Sequence, residues 1–282
     1  MSGAGSDQVL IHRHVDGRRQ RVPDEVAVEE PLEIRLDGHL VATTLRTPGN
    51  DHELAVGLLH AEGLIDGIAV TRVHHCFDDR QPTVALNVIT VDTGGRAPVP
   101  PPRLQTATAA CGLCGSTTIS ELTARLQPLP PAGLLPDEVV LAIGDRVRRR
   151  QGLFGSTGGV HAAAVFDASG EPLLIREDVG RHNAVDKLVG RLRLDGRLPA
   201  SGLGLFVSGR AGFELVQKAW AAGFAWMVAV GAPTSLAVRT ARTAGLELVG
   251  FATGQRFNIY SPIELGSGDP GSGDPGPGPG AP

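Results

Sequence analysis

Residues Leu203–Phe251 read LGLFVSGRAGFELVQKAWAAGFAWMVAVGAPTSLAVRTARTAGLELVGF. The runs Leu203–Ser208, Ala225–Val230 and Leu246–Phe251 are strand-like. Between them, Gly212–Ala222 and Ser235–Ala244 are helical, with Phe213, Val216 and Trp220 recurring at helical spacing in the first. Strand–helix–strand–helix–strand implies right-handed crossovers and a largely parallel core. Just upstream, Val160–Phe166 and Leu173–Arg176 add two strands, and His182–Leu192 and Asp137–Arg150 two helices.

The first third is β-rich. Short alternating runs occur at Gln8–Val15, Leu32–Leu36, His39–Leu45, Val70–Cys76 and Thr83–Val91. One helix interrupts them, opened by Asn50 as a cap with Glu53 three residues on. Pro clusters at Ala97–Arg103 and Pro128–Pro136 read as breaks, because Pro denies the backbone donors a central strand needs. Between them, Thr118 and Glu121 have capping-box spacing ahead of Ile119, Leu122 and Leu126. The expected organisation is an α/β chain, α+β overall. Residues 1–106 form a β-rich domain with one helix, 107–116 a loop, 117–265 an α/β domain, and 266–282 a disordered Gly/Pro tail.

Composition narrows the function. The 282 residues carry a net charge of −4, with 38 Gly and 21 Pro. No apolar run approaches the ~18 residues a membrane helix needs. The N-terminus MSGAGSDQ shows no secretory pattern. Three cysteines, Cys76, Cys111 and Cys114, cannot all pair internally, which points to a reducing cytoplasm and to chemical roles. The acidic balance argues against nucleic acid, while leaving room for a local basic pocket. Only Lys187 and Lys218 are lysines, and both fall in motif-rich segments around which such a pocket is expected. Cys76 reads as a buried strand residue.

Cys111-Gly112-Leu113-Cys114 is the strongest chemical signal. Four readings compete: a zinc site, dithiol redox chemistry, nucleophilic sulfur transfer, and two unreactive cysteines. Zinc needs four ligands, and no second pair has finger spacing. A thiolate at the start of a helix is stabilised for either redox or transfer chemistry. At Gly158–Ala163 (GGVHAA), His161 is followed by Ala163 where a zinc deaminase would place its proton-shuttling Glu, so that chemistry is absent. Arg176–Lys187 packs six charges and His182 into twelve positions and reads as a pocket wall or interface. Three turns follow strands: Ser208–Gly212, Gly231–Ser235 and Gly254–Asn258. Small residues there, before helices, make an anion-binding edge, with Arg210 and Arg256 supplying charge.

These segments together resemble the FdhD family of sulfur carriers required for formate dehydrogenase activity. The carrying stretches are EEPLEIRLDG, TPGNDHELAVGLLHAEGLI, CGLCG, TGGVHAAAVF, REDVGRHNAVDKLVG, SGRAGFELVQKAWAAG, APTSLAVRTA and LELVGFATGQRFNIY, from about Glu29 to Tyr260. The resemblance implies a cytidine-deaminase-like three-layer C-terminal domain and a homodimer. It implies a sulfurtransferase that takes sulfur from a cysteine desulfurase as a persulfide on Cys111, with Cys114 assisting or resolving. The sulfur would pass to the molybdenum bis(molybdopterin guanine dinucleotide) cofactor, a bound substrate, before that cofactor enters the formate dehydrogenase apoenzyme. No permanent metal is expected. The expected cofactor contacts are Phe251, Ala252, Thr253, Gly254, Gln255, Arg256, Asn258, Ser208, Arg210, His182 and Lys187. Thr253 departs from the Arg common in relatives, which removes one possible phosphate contact and shifts weight onto Arg256, and Gly231 stands where Ser is common before Ala-Pro. A thiol–disulfide oxidoreductase and a non-catalytic cofactor chaperone are the alternatives.

Overall fold

The computed structural model describes residues 5–76, 87–100 and 123–262. The chain opens with a hairpin, β1 (Ser6–Val15) and β2 (Arg18–Ala27). β3 (Glu30–Leu36) and β4 (His39–Arg46) form a second. Each turns on Asp-Gly with both residues at positive φ: Asp16 at 49° and Gly17 at 76°, Asp37 at 47° and Gly38 at 84°. That is the backbone twist a two-residue hairpin requires. The sequence pattern does not predict β2, because Pro23 and a run of charged residues mask its alternation; the Asp-Gly pair is the available signal.

Helix α1 (Asp51–Ala61), β5 (Arg72–His75) and β6 (Val88–Asp92) complete the first body, a four-stranded sheet ordered β4-β3-β6-β5. Leu32, Ile34 and Leu36 alternate onto one face and meet Leu54, Leu59, Ile65, Ile89 and Val91. Asn50 does not cap α1 with its side chain; it sits in the left-handed region at φ 58°. Glu53 turns away to Arg176, at 2.5 and 2.8 Å. Cys76 lies just past β5 and is half-buried, its sulfur 3.3 Å from the Thr90 hydroxyl.

The second body contains α2 (Asp137–Arg148), α3 (Gly152–Thr157), β7 (His161–Phe166), β8 (Pro172–Asp178), α4 (Arg181–Leu194), β9 (Gly204–Val207), α5 (Phe213–Ala222), β10 (Trp226–Ala229), α6 (Ser235–Ala244), β11 (Glu247–Gly250) and β12 (Asn258–Ser261). Its sheet runs β12-β11-β10-β9-β7-β8. Only β9, β10 and β11 are mutually parallel; β7, β8 and β12 join antiparallel, so the core is mixed rather than largely parallel. Ala163, Val165, Leu205, Val207, Met227 and Leu248 face α4, α5 and α6. Their neighbours Ala162, Ala164, Phe166, Phe206, Val228 and Val249 face α2, giving three layers. The Pro-rich run before α2 is a fastened strap. Leu129 N–H donates to Ala244 O, and the indoles of Trp220 and Trp226 donate to Gln127 O and Gly133 O.

The two bodies meet where α1 crosses α4. A Cβ on Gly57 would lie 1.9 Å from Asp186 O, and one on Gly190 1.8 Å from Glu53 O, so only glycine allows this approach. The charged run Arg176–Lys187 serves this junction. Lys187 Nζ reaches Asp178 at 2.7 Å and Thr47 O at 2.9 Å, Asp178 accepts from Thr47 N, and Lys218 pairs with Asp186 at 2.6 Å.

Candidate functional site

The C-terminal ends of β9, β10 and β11 lie side by side, and their following turns are stitched together. Gly231 N–H donates to Gly209 O, Ala211 N–H to Ala232 O and Phe251 N–H to Gly231 O. A Cβ on Gly231 would sit 3.0 Å from the Arg210 backbone, a crowding that glycine avoids. Helices α4, α5 and α6 all begin at this edge, and α6 is capped by the Thr234 hydroxyl accepting from Ala237 N. Their N–H groups and partial positive charge suit an anion.

Beside the edge opens a cleft of ≈ 590 Å³. Ser208, Ala252, Thr253 and Gly254 line it, in keeping with the sequence spacing, together with His161. The sequence does not predict its opposite wall. Asp145 and Arg148 come from α2, Gln151 precedes α3 and Phe154 lies on it, with the Arg148 guanidinium 3.8 Å over the Phe154 ring. The polar face of α2 reads as a solvated surface in sequence; only the turn into α3 folds it over the strand ends.

Thr253, the departure from the family pattern, builds its own turn. Its hydroxyl accepts from Gln255 N and Arg256 N, and its backbone N–H donates to Arg256 O at 2.9 Å. Gln255, Arg256, Asn258 and Arg210 are exposed beside the cleft. Phe251 is 38% exposed at φ 53°, a conformation strained for an aromatic residue.

His161 lies at the start of β7. Ser208 Oγ accepts from Ala162 N at 2.9 Å and lies 3.5 Å from His161 Nδ1. Burial lowers the His161 pKa, with Arg181 adding to the shift and Asp178 opposing it. His182 stands behind it, 3.0 Å from Glu214. Burial, then Lys218, Arg181 and His161, push the His182 pKa down to about 3. Lys187 is only 1% exposed, and both lysines are neutralised inside the molecule. The basic pocket expected around them is therefore not formed by them; the exposed cations beside the cleft are arginines. A single compact ammonium suits these one-carboxylate niches better than a fork.

Cys111 and Cys114 lie outside the described residues. Among the described residues no three His, Cys, Asp or Glu side chains gather to hold a metal ion. None of the described helices is long and apolar enough to cross a membrane.

Fold and site together define an α/β protein with a cleft at its strand ends, and in sequence a CxxC segment lies between the stretches that form the two bodies. Comparison narrows the class: the profile of the FdhD/NarQ family matches residues 27–265, and the chain belongs to that family. It is 47% identical over 252 residues to "Sulfur carrier protein FdhD" of Corynebacterium efficiens, covering 85% of this chain and 90% of the relative. It is 45% identical over 266 residues to the protein of the same name from Nocardia farcinica, covering 93% and 95%. A solved structure described as a formate dehydrogenase accessory protein from Desulfotalea psychrophila superposes with a TM-score of 0.69 at 23% identity, over 91% of this chain and 96% of that one. At that identity the likeness speaks to the fold.

Proposed function

We propose that this chain is a cytoplasmic sulfur carrier that activates formate dehydrogenase, working as a homodimer. The observation that carries the reading is the pair Cys111 and Cys114, at CxxC spacing within the residues matched to the FdhD/NarQ family. The Cys111 thiolate attacks the outer sulfur of a cysteine desulfurase persulfide. The S–S bond of the donor breaks, the desulfurase thiolate leaves, and Cys111 carries the persulfide with no net oxidation. Cys114 assists or resolves. The sulfur then passes to its substrate, the molybdenum bis(molybdopterin guanine dinucleotide) cofactor, ahead of insertion into the apoenzyme.

The chain's own residues supply the binding edge. The N-termini of α5 and α6, with Arg210 and Arg256, meet the phosphates of a dinucleotide. Phe251 and the Phe154–Arg148 stack offer flat surfaces, and His161, kept neutral, offers a donor without adding fixed charge. We read the three-layer body as cytidine-deaminase-like, with Ala163 in place of the proton-shuttling acid. A strain lacking its own carrier tests the reading. Wild type restores formate dehydrogenase activity and Cys111→Ser does not. Full rescue by the Cys111→Ala/Cys114→Ala double variant would leave only a cofactor chaperone.

A further inference from the structure

The β1–β2 hairpin precedes almost all of the family-matched region, which begins at residue 27, and the cleft makes no use of it. Its ten-residue strands pair without a break from Ser6↔Ala27 to Val15↔Arg18. Residues directly opposite each other share a face, so the register divides the side chains into two sets. One face holds Val9, Ile11, Val22 and Val26, and there Asp24 answers Arg13 at 3.0 Å. The other holds the pairs His12↔Arg21 and His14↔Arg19, with Leu10↔Pro23 next to them toward the root. All six of these side chains are exposed.

The four basic residues form a two-by-two block. Neighbours across the strands lie about 5 Å apart, and neighbours along a strand about 7 Å. Among the described residues, no side chain of the four has a hydrogen bond or an ion pair. Asp7 and Asp24 belong to the other face, and Asp16 lies in the turn. The acid on this face is Glu25, four residues from Arg21 along β2 and so roughly 14 Å away. Like charges directly opposite each other weaken a ribbon, and a two-stranded ribbon is marginal to begin with. The block therefore lowers the hairpin's stability and meets no counter-charge inside the molecule.

Its spacing selects a counterpart. Carboxylates on alternate residues of an extended peptide recur on one side at about 6.8 Å, the interval between His12 and His14 and between Arg19 and Arg21. A guanidinium fork holds such a carboxylate by two parallel bonds. Nucleic acid fits less well. Residues 6–27 include no Phe, Tyr or Trp on which bases could stack, and a chain of net charge −4 repels a long polyanion. An anionic membrane would have to engage the basic block and the valine-rich set together, and these lie on opposite faces.

We propose that this basic face of the hairpin docks an extended acidic segment of a partner protein. Acids on alternate residues lie over the His14–Arg19 and His12–Arg21 pairs, and an apolar residue lies over Leu10 and Pro23. The inference stands apart from the sulfur chemistry. The probe is a fluorescein-labelled peptide, GETETLTG, titrated with the full chain at low ionic strength and read by fluorescence anisotropy. It binds saturably, and added salt weakens it. Its isomer GEETTLTG, whose glutamates point to opposite sides, binds more weakly at the same net charge. Arg19→Ala/Arg21→Ala raises the Kd about tenfold, whereas Arg13→Ala/Arg18→Ala, on the opposite face, leaves it within about twofold. Arg19→Gln and Arg21→Gln each raise it about threefold and decide the matter should the double variant misfold. Absence of saturable binding, equal Kd values for the two peptides, or equal effects of substitutions on the two faces overturns the proposal. So does displacement of the peptide by a short oligothymidylate or by phosphatidylserine vesicles at lower concentration than by unlabelled peptide.

Discussion

Replacing Gly57 by alanine tests the junction that holds the cleft's supporting helix in place. The added Cβ would lie 1.9 Å from Asp186 O and 2.6 Å from its carbon. Ordinary carbon–oxygen contact requires roughly 3.4 Å, so α1 and α4 must separate by about 1.5 Å. That shift strains the Glu53–Arg176 and Lys187–Asp178 pairs, which bridge the same surfaces. Overpacking of this kind costs about 2–3 kcal/mol, a fall in Tm on the order of 5–10 °C for a chain this long. Thermal unfolding followed by circular dichroism measures it. Gly152→Ala is the control, since a Cβ there meets nothing within 4 Å; it stays within about 0.5 kcal/mol of wild type. Equal behaviour of the two variants would refute the claim that the helices touch through their glycines.

Three further outcomes follow from single residues and from the tail. Burial raises the Glu247 pKa from 4.5 to about 7, and Leu135 N donates to one of its oxygens. Ionising this carboxyl costs the folded state more than the unfolded one, so its contribution is full below pH 4.5 and is lost as the pH rises through 7. Glu247→Gln therefore stabilises the chain at pH 8 by up to about 3 kcal/mol and has no such effect near the unfolded pKa; equal Tm shifts at both pH values would contradict this. Phe251→Gly relieves the positive φ and raises stability by about 1 kcal/mol, while weakening binding of guanine nucleotide by fluorescence titration; a loss of stability would refute the strain. Deleting Gly266–Pro282, beyond the family-matched residues, leaves formate dehydrogenase activation intact in the complementation assay.

The parallel core is legible in sequence because each of its strands is an apolar run between Gly-bounded turns, and because the cap and Gly ends of α6 agree with its period. The antiparallel partners are less so. β12 begins where the turn Gly254–Asn258 is expected to end, and its pairing with β11 depends on contacts distant in sequence. The strand-end half of the cleft follows from Gly spacing after strands. The half contributed by Asp145, Arg148 and Phe154 does not, since those residues gain meaning only when α2 covers the sheet. The rare lysines mark real sites, but of assembly: their charges hold the junction and Asp186 instead of meeting a ligand. In sequence, His161 reads equally well as a strand-start residue or a site residue, and the structure places it on the cleft wall.

The central claim concerns one sulfur atom. Incubation of the protein with a cysteine desulfurase and cysteine, followed by intact-mass analysis without reductant, reads it directly. The account predicts the gain of a single sulfur by wild type and by Cys114→Ala, and none by Cys111→Ala. A wild-type chain that gains no sulfur, and instead cycles a Cys111–Cys114 disulfide with thioredoxin, would contradict it.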